Sequence, residues 1–372
     1  MHIDNSLSFC HFSYTHYPRE SPNQYQDEGR MLRTFKITTF AAFTLLSLKL
    51  SAQESLDCSE VRLDLAPESM AKIPVYSQEN HDICYAVLAA EMTDAYRISH
   101  GRNPQHLTSV FATAAFYSGK YRETLNENRR DIANDEISMG SFTDAVSILR
   151  EKGSCNANIL YDGQYENFDK KLRTLRSLRS EYKKATQPLT ELATTKFSKK
   201  LQEIAGSQSL IFTQEWLSES LSNQAFYKVI DKVITKSCEP ISESLADLPP
   251  LVGFSGMKAK AKAQRQIDFY AQLKFAFERQ RPQPVAINFC REALFEYSHA
   301  LGSRSACSPH SALIVGRRRV GSSCQVLIRE SDGPICNPNA LWPCELLPQK
   351  GQYWVPVDKM APHTIDLMSF DK

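Results

Sequence analysis

The chain is predicted to be an α+β protein of two lobes, helical first and β-rich last. Three observations carry this. Apolar residues recur at three- and four-residue spacing through residues 74–160, the pattern of helices with one buried stripe. From about residue 284 the pattern changes to short runs rich in Val, Ile, Tyr and Trp, bounded by Gly and Pro, which is strand composition. Between them, residues 165–281 are highly charged, poor in glycine and helically periodic, and read as an inserted helical block.

Taken in order, residues 1–30 are expected to be a disordered, over-extended start ahead of Met31. Residues 31–52 carry a basic opening, Met-Leu-Arg-Thr-Phe-Lys, an apolar stretch from Ile37 to Leu48, and a small-residue end at Ser51-Ala52. That is the layout of a secretory signal peptide. Its apolar core is about a dozen residues, where a spanning helix needs about 20, so a secreted, periplasmic or extracellular protein is predicted and not a stable membrane span. The helical lobe covers residues 53–164 and opens on a short polar lead. Cys84 heads an amphipathic pattern marked by Val87, Leu88, Met92, Ala95 and Tyr96. A second helix is expected through Leu107–Tyr117 and a third in Phe142–Lys152, stopped by Gly153.

The charged block, residues 165–281, carries three apolar stripes. Leu172, Leu175, Leu178 and Tyr182 form one, Ala193, Phe197, Leu201 and Ile204 the next, and Phe226, Val229, Ile230, Val233 and Ile234 the third. The Lys and Arg residues opposite them read as a solvated helix surface, because no aromatic residues interleave as single-strand binding requires. In the β-rich lobe, residues 282–372, strands are expected at Pro284–Phe289 and Gln352–Val357. Another two, His310–Arg317 and Gln325–Arg329, read as a hairpin around Gly321-Ser-Ser.

Net charge is +2 with a pI near 8, so bulk charge points neither to nucleic acid nor to a membrane surface. There is no glycine-rich phosphate or dinucleotide motif, no H-E-x-x-H, and no Cys/His pair at zinc-finger spacing. Neither cofactor nor metal is expected. The chain has 10 cysteines. With Cys10 ahead of the signal and Cys84 set aside as a thiol, Cys58, Cys155, Cys238, Cys290, Cys307, Cys324, Cys336 and Cys344 remain. They are an even set, able to form four disulfides in an oxidising compartment, in any of 105 connectivities.

Cys84 is the first candidate for chemistry. At the start of a helix it faces backbone N–H groups and the positive end of the dipole, which favour thiolate over thiol. Gln78 lies six residues earlier, and His310 opens a distant strand. The landmarks Pro74-Val-Tyr-Ser-Gln78, Cys84-Tyr-Ala-Val87, Gly140-Ser-Phe-Thr-Asp-Ala145, Pro284-Val-Ala-Ile287, His310-Ser-Ala-Leu-Ile-Val-Gly316 and Ile328-Arg-Glu-Ser-Asp-Gly333 resemble, in order and local spacing, those of the papain-like cysteine peptidases. The resemblance covers about residues 70–160 and 282–360. It implies that family's two-lobe fold and a peptidase acting on peptide or protein substrates through a Cys84–His310 thiolate–imidazolium couple. It further implies that Gln78 donates to the oxyanion and that Gly140 binds an extended substrate. The chain departs from the family at Glu330, where asparagine is usual, at Asp332 and Tyr85 in place of tryptophans, at His81 for a cysteine, and at Met139 for a glycine. The charged block also lengthens the Cys-to-His separation, and no long propeptide fits ahead of the first motif.

The energetics show why Cys84 needs His310. Lowering a thiol pKa by four units takes roughly 5.4 kcal/mol, and a helix end supplies at most about 2 kcal/mol. The imidazole must provide the rest. Glu330 is expected to orient His310 as aspartate does in other triads, with Asp332 as the alternative should the hairpin end shift register. A second class of function is a papain-like fold without catalysis, kept as a binding or structural module.

Overall fold

The computed structural model describes residues 58–78, 83–121, 140–161, 168–184, 190–206, 213, 215–216, 219, 226–296, 307–346 and 351–371. The expected start and signal segment lie outside the described residues.

The long helices are α1 (Cys84–Ser99), α2 (Val110–Tyr121), α3 (Phe142–Lys152), α4 (Phe168–Lys184), α5 (Glu191–Ala205), α6 (Phe226–Cys238) and α7 (Lys262–Phe277). The sequence signals act locally. Ser141 caps α3 by accepting from the Asp144 N–H at 3.4 Å, and Gly153 follows its last turn. The strands of the main sheet are β1 (Val61–Arg62), β2 (Leu251–Phe254), β3 (Val285–Cys290), β4 (Pro309–Val320), β5 (Ser323–Arg329), β6 (Cys344–Glu345), β7 (Gln352–Pro356) and β8 (Thr364–Phe370). They form one antiparallel sheet in the order β2-β8-β3-β4-β5-β7-β6, with β1 added on β4. The fold is therefore α+β, with helices gathered ahead of a sheet built mainly from the last third of the chain.

Strand β4 is the axis of this sheet. Its first half pairs β3, with His310 opposite Phe289, and β1 takes up Gly316 and Arg317 beyond it. Glycine is needed there, because a Cβ at Gly316 would sit 2.7 Å from the Val61 carbonyl oxygen. The β4–β5 hairpin forms as predicted, but its register shifts between Ile314 and Gly316.

Two expectations are corrected. Helix α1 is not amphipathic in its surroundings: every residue from Cys84 to Ile98 is buried, between α2 and α3 on one side and β4 on the other. Its charged positions are paired instead of solvated. Asp94 accepts from Thr108 N–H at 2.9 Å and from Arg97 at 3.2 Å, and Glu91 accepts from Arg329 Nε at 3.1 Å. Second, the inserted block is shorter than residues 165–281. Leu251–Phe254 hydrogen-bonds to β8 and α7 packs over that edge, so both belong to the sheet. A four-residue apolar run beside Pro249-Pro250, amid charged sequence, is too short to read as a strand without its partner. The other long helices of that stretch, α4, α5 and α6, meet the rest where α6 packs on α2. Their stripes are buried at Leu175, Leu178, Phe197, Leu201, Val229 and Val233.

The eight remaining cysteines do form four disulfides: Cys58–Cys324, Cys155–Cys238, Cys290–Cys307 and Cys336–Cys344. The first fastens the segment before β1 to β5. The second ties the end of α6 to the segment after α3, and the third links the end of β3 to the approach to β4.

Candidate active site

Four of the predicted site residues, Gln78, Cys84, His310 and Glu330, are almost wholly buried, at 0%, 1%, 2% and 2% exposure. Helix α1 begins at Cys84 with no side-chain cap from Ile83 and no acidic residue in its first turn. That end of the helix thus keeps its preference for negative charge.

Cys84 itself requires a correction. It is a half-cystine, and among the described residues no cysteine is a free thiol. The odd-one-out count applied only to the exported part of the chain. Over the whole sequence the cysteines number 10, an even set. A half-cystine sulfur is no nucleophile until an external thiolate opens the bond by exchange.

His310 lies near the start of β4, and its Nε2 hydrogen-bonds Glu330 Oε1. The Phe289 ring stands edge-on at 5.7 Å and fills the space beside the imidazole. Register explains why Glu330 and not Asp332 makes this bond. Leu313 faces Arg329 across the hairpin, so a straight continuation would set Asp332 opposite His310. Strand β5 instead ends at Arg329. The Glu330 N–H turns to the Gly351 carbonyl at 3.1 Å, and Asp332 leaves to bridge Ser77.

The electrostatics of the pair follow from burial. Desolvation alone would raise the Glu330 pKa, but the charge and hydrogen bond of His310, the Arg291 charge and the Ser331 N–H together outweigh it and hold the carboxyl below its usual range. An ionised carboxylate only accepts, so the proton of the hydrogen bond belongs to His310 Nε2. That leaves Nδ1 as the ring nitrogen for proton exchange.

Asp332 is bound differently. Its Oδ2 accepts from Arg291 Nη2 at 2.5 Å and its Oδ1 from Gln78 Nε2 at 3.2 Å. Burial and the neighbouring Glu330 charge push its pKa up, opposed by Arg291, His310 and the Gln78 amide. His310, Glu330 and Asp332 offer ligand atoms within 4.8 Å of one another, a spacing that could hold a divalent cation. Arg291 already supplies the positive charge at that place. The cluster of Cys290, Glu292 and Cys307 is no ligand set, since its cysteines are bonded to each other.

Gly140 meets the start of α1. A Cβ at Gly140 would lie 2.7 Å from the Tyr85 ring, which is 1% exposed and 4.8 Å from the Tyr117 ring, whose hydroxyl in turn accepts the Ser141 N–H. Close approach to Tyr85 is why glycine is needed. Gly140→Ala is expected to cost about 1–3 kcal/mol through overpacking, read as a lower denaturation midpoint. An unchanged midpoint would show that the ring yields.

Sequence reasoning missed Arg291 and the Glu91–Arg329 pair. Arg329 directly precedes Glu330, and a charged residue inside an apolar strand was the signal. Arg291 offered none.

No protein-family model and no curated protein matches the chain. Among solved structures it is similar to digestive procathepsin L 3 of Tenebrio molitor larval midgut, at 11% identity and TM-score 0.41, over 87% of this chain and 72% of that one. It is also similar to xylellain, a cysteine protease from Xylella fastidiosa, at 14% identity and TM-score 0.38, over 84% of this chain and 85% of that one. Neither likeness assigns a role to a residue.

Proposed function

We propose that the chain, once its Cys84 disulfide is opened, is a secreted papain-like cysteine peptidase. The observation that carries this reading is the buried His310–Glu330 hydrogen bond, formed beside a Gln78 amide six residues ahead of the Cys84 helix. In this reading the Cys84 thiolate attacks the scissile carbonyl carbon, forming a C–S bond as the carbonyl electrons move to oxygen. Gln78 and the Cys84 backbone N–H receive that oxyanion. The C–N bond then breaks, and the His310 imidazolium gives its proton to the departing amine. Water, deprotonated by His310, attacks the resulting thioester. The C–S bond breaks, and acid product and thiolate leave. Glu330 keeps Nε2 protonated throughout, so Nδ1 carries the traffic. Four disulfides support an oxidising compartment, and no described helix is long and apolar enough to cross a membrane.

The disulfide at Cys84 favours a second reading, a non-catalytic fold serving as a binding module. One experiment separates the two. The chain is treated with a dithiol under native conditions, checked for retained structure by circular dichroism, and exposed to a vinyl-sulfone probe. For the peptidase, labelling is absent without reduction and absent in Cys84→Ala. It is slowed at least roughly tenfold in His310→Ala, because an unassisted thiol is only a few per cent ionised at neutral pH. Labelling of the reduced protein that ignores the His310 change supports the binding module.

A further inference from the structure

Asp332 stands where the peptidase reading leaves a residue without a task, since Glu330 has taken the imidazole. We propose that Asp332 is a positioning residue: anchored by Arg291, its carboxylate holds the Gln78 side-chain amide in the orientation that serves the oxyanion. This rests on the peptidase reading and assigns a specific part of that same site.

Three chain segments meet at this carboxylate. Arg291 follows β3, Asp332 follows β5, and Gln78 precedes α1. Asp332 accepts from Arg291 at 2.5 Å on one oxygen and from Gln78 at 3.2 Å on the other. The backbone is fastened as well: Gln78 N–H donates to the Ser331 carbonyl at 2.8 Å, and Ser77 bridges Asp332. The Gln78 side chain therefore has little freedom except rotation of its amide group.

Asp332 decides that rotation. A carboxylate only accepts, so it selects Nε2; the flipped amide would aim Oε1 at a negative oxygen. Oε1 itself is buried with no hydrogen-bond partner among the described residues, so nothing on the carbonyl side competes. One of the two Nε2 protons goes to Asp332, and the second remains for another acceptor. Arg291 is in turn placed by the Phe295 ring, 5.1 Å from its guanidinium carbon. Its charge opposes the rise that burial and Glu330 impose on the Asp332 pKa and so favours the ionised carboxylate that the selection needs.

The test uses the reduced full chain and two reagents. Iodoacetamide alkylates a thiolate without making an oxyanion. A peptide aldehyde adds the thiol across its C=O bond, giving a tetrahedral adduct whose oxygen occupies the oxyanion position. Asp332→Ala is expected to weaken aldehyde binding roughly 10- to 100-fold while alkylation stays within about twofold. Asp332→Asn keeps an acceptor oxygen and should lose less than about fivefold, which covers the case of an alanine variant that does not fold. Adding Asp332→Ala to Gln78→Ala should weaken binding no further than Gln78→Ala alone. Additive losses, unchanged or tighter aldehyde binding in Asp332→Ala, or a parallel fall in alkylation would overturn the proposal while leaving the peptidase intact. A reduced wild-type chain whose Cys84 resists iodoacetamide ends both.

Discussion

On the peptidase reading proposed above, replacing Glu330 by alanine should lower kcat on a peptide substrate by roughly three to four powers of ten, with KM within a few-fold. The scale is that of triads whose orienting carboxylate is disabled without loss of the nucleophile. The reason is a proton placement. Glu330 accepts from His310 Nε2 and, held ionised, keeps that nitrogen protonated. Without it the buried imidazole is free to place its proton on Nδ1, the nitrogen that must accept one. Glu330→Gln keeps an acceptor oxygen and should recover much of the loss.

The same pair has a signature in stability. A carboxyl whose folded pKa lies below its ordinary value of 4.5 contributes stability that is present above that value. The contribution is lost as pH falls through the folded pKa, because there the unfolded chain binds the proton first. Denaturation midpoints measured downward from pH 5 should therefore drop in wild type and flatten in Glu330→Gln. Equal slopes in the two would place the acid sensitivity elsewhere.

Arg329→Met should destabilise the fold by about 3–5 kcal/mol, the largest stability effect expected from one substitution here. The Arg329 and Glu91 side chains are 0% and 3% exposed, and the guanidinium also donates to the Ile73 carbonyl at 2.8 Å and to that of Pro74. One side chain thus fastens α1, β5 and the segment leading to Gln78. Burial pushes the Glu91 pKa up against the pull of Arg329, so the orphaned carboxyl would take up a proton and not remain a bare charge. That relief sets the cost towards the lower end, and Glu91→Gln should cost less than Arg329→Met. Chemical denaturation of both variants and their combination measures the coupling, and a strictly additive pair would show that the two groups do not depend on each other.

How much was legible beforehand depended on range. The hairpin, α3 with its glycine stop, and the stripes of α4 to α6 come from periodicity and punctuation within a dozen residues, and the structure repeats them closely. The cysteine arithmetic picked out eight half-cystines, left out Cys84 and could not pair them, since Cys58 and Cys324 are brought together only by β1 pairing with β4, which β5 flanks. The site residues were legible as types: a helix-heading cysteine, a strand-opening histidine, a glutamine at fixed spacing. The choice between Glu330 and Asp332 was not. It turns on where β5 stops pairing, which depends on what Ser77 and Gly351 offer the backbone.

Composition and spacing by themselves determined the α+β class and, with Cys84 left out, an even set of half-cystines, because helices, turns and apolar faces are encoded by near neighbours in the chain; the resemblance of the motifs supplied the roles of the candidate side chains. Only the tertiary structure decided that Glu330 faces the imidazole, that Asp332 joins Arg291 to Gln78, that Leu251–Phe254 joins the sheet, and that the Cys84 sulfur is bonded. Each of those depends on groups far apart in sequence meeting in a buried place, where an unmatched charge or N–H is costly and the partner that satisfies it is chosen by the whole fold.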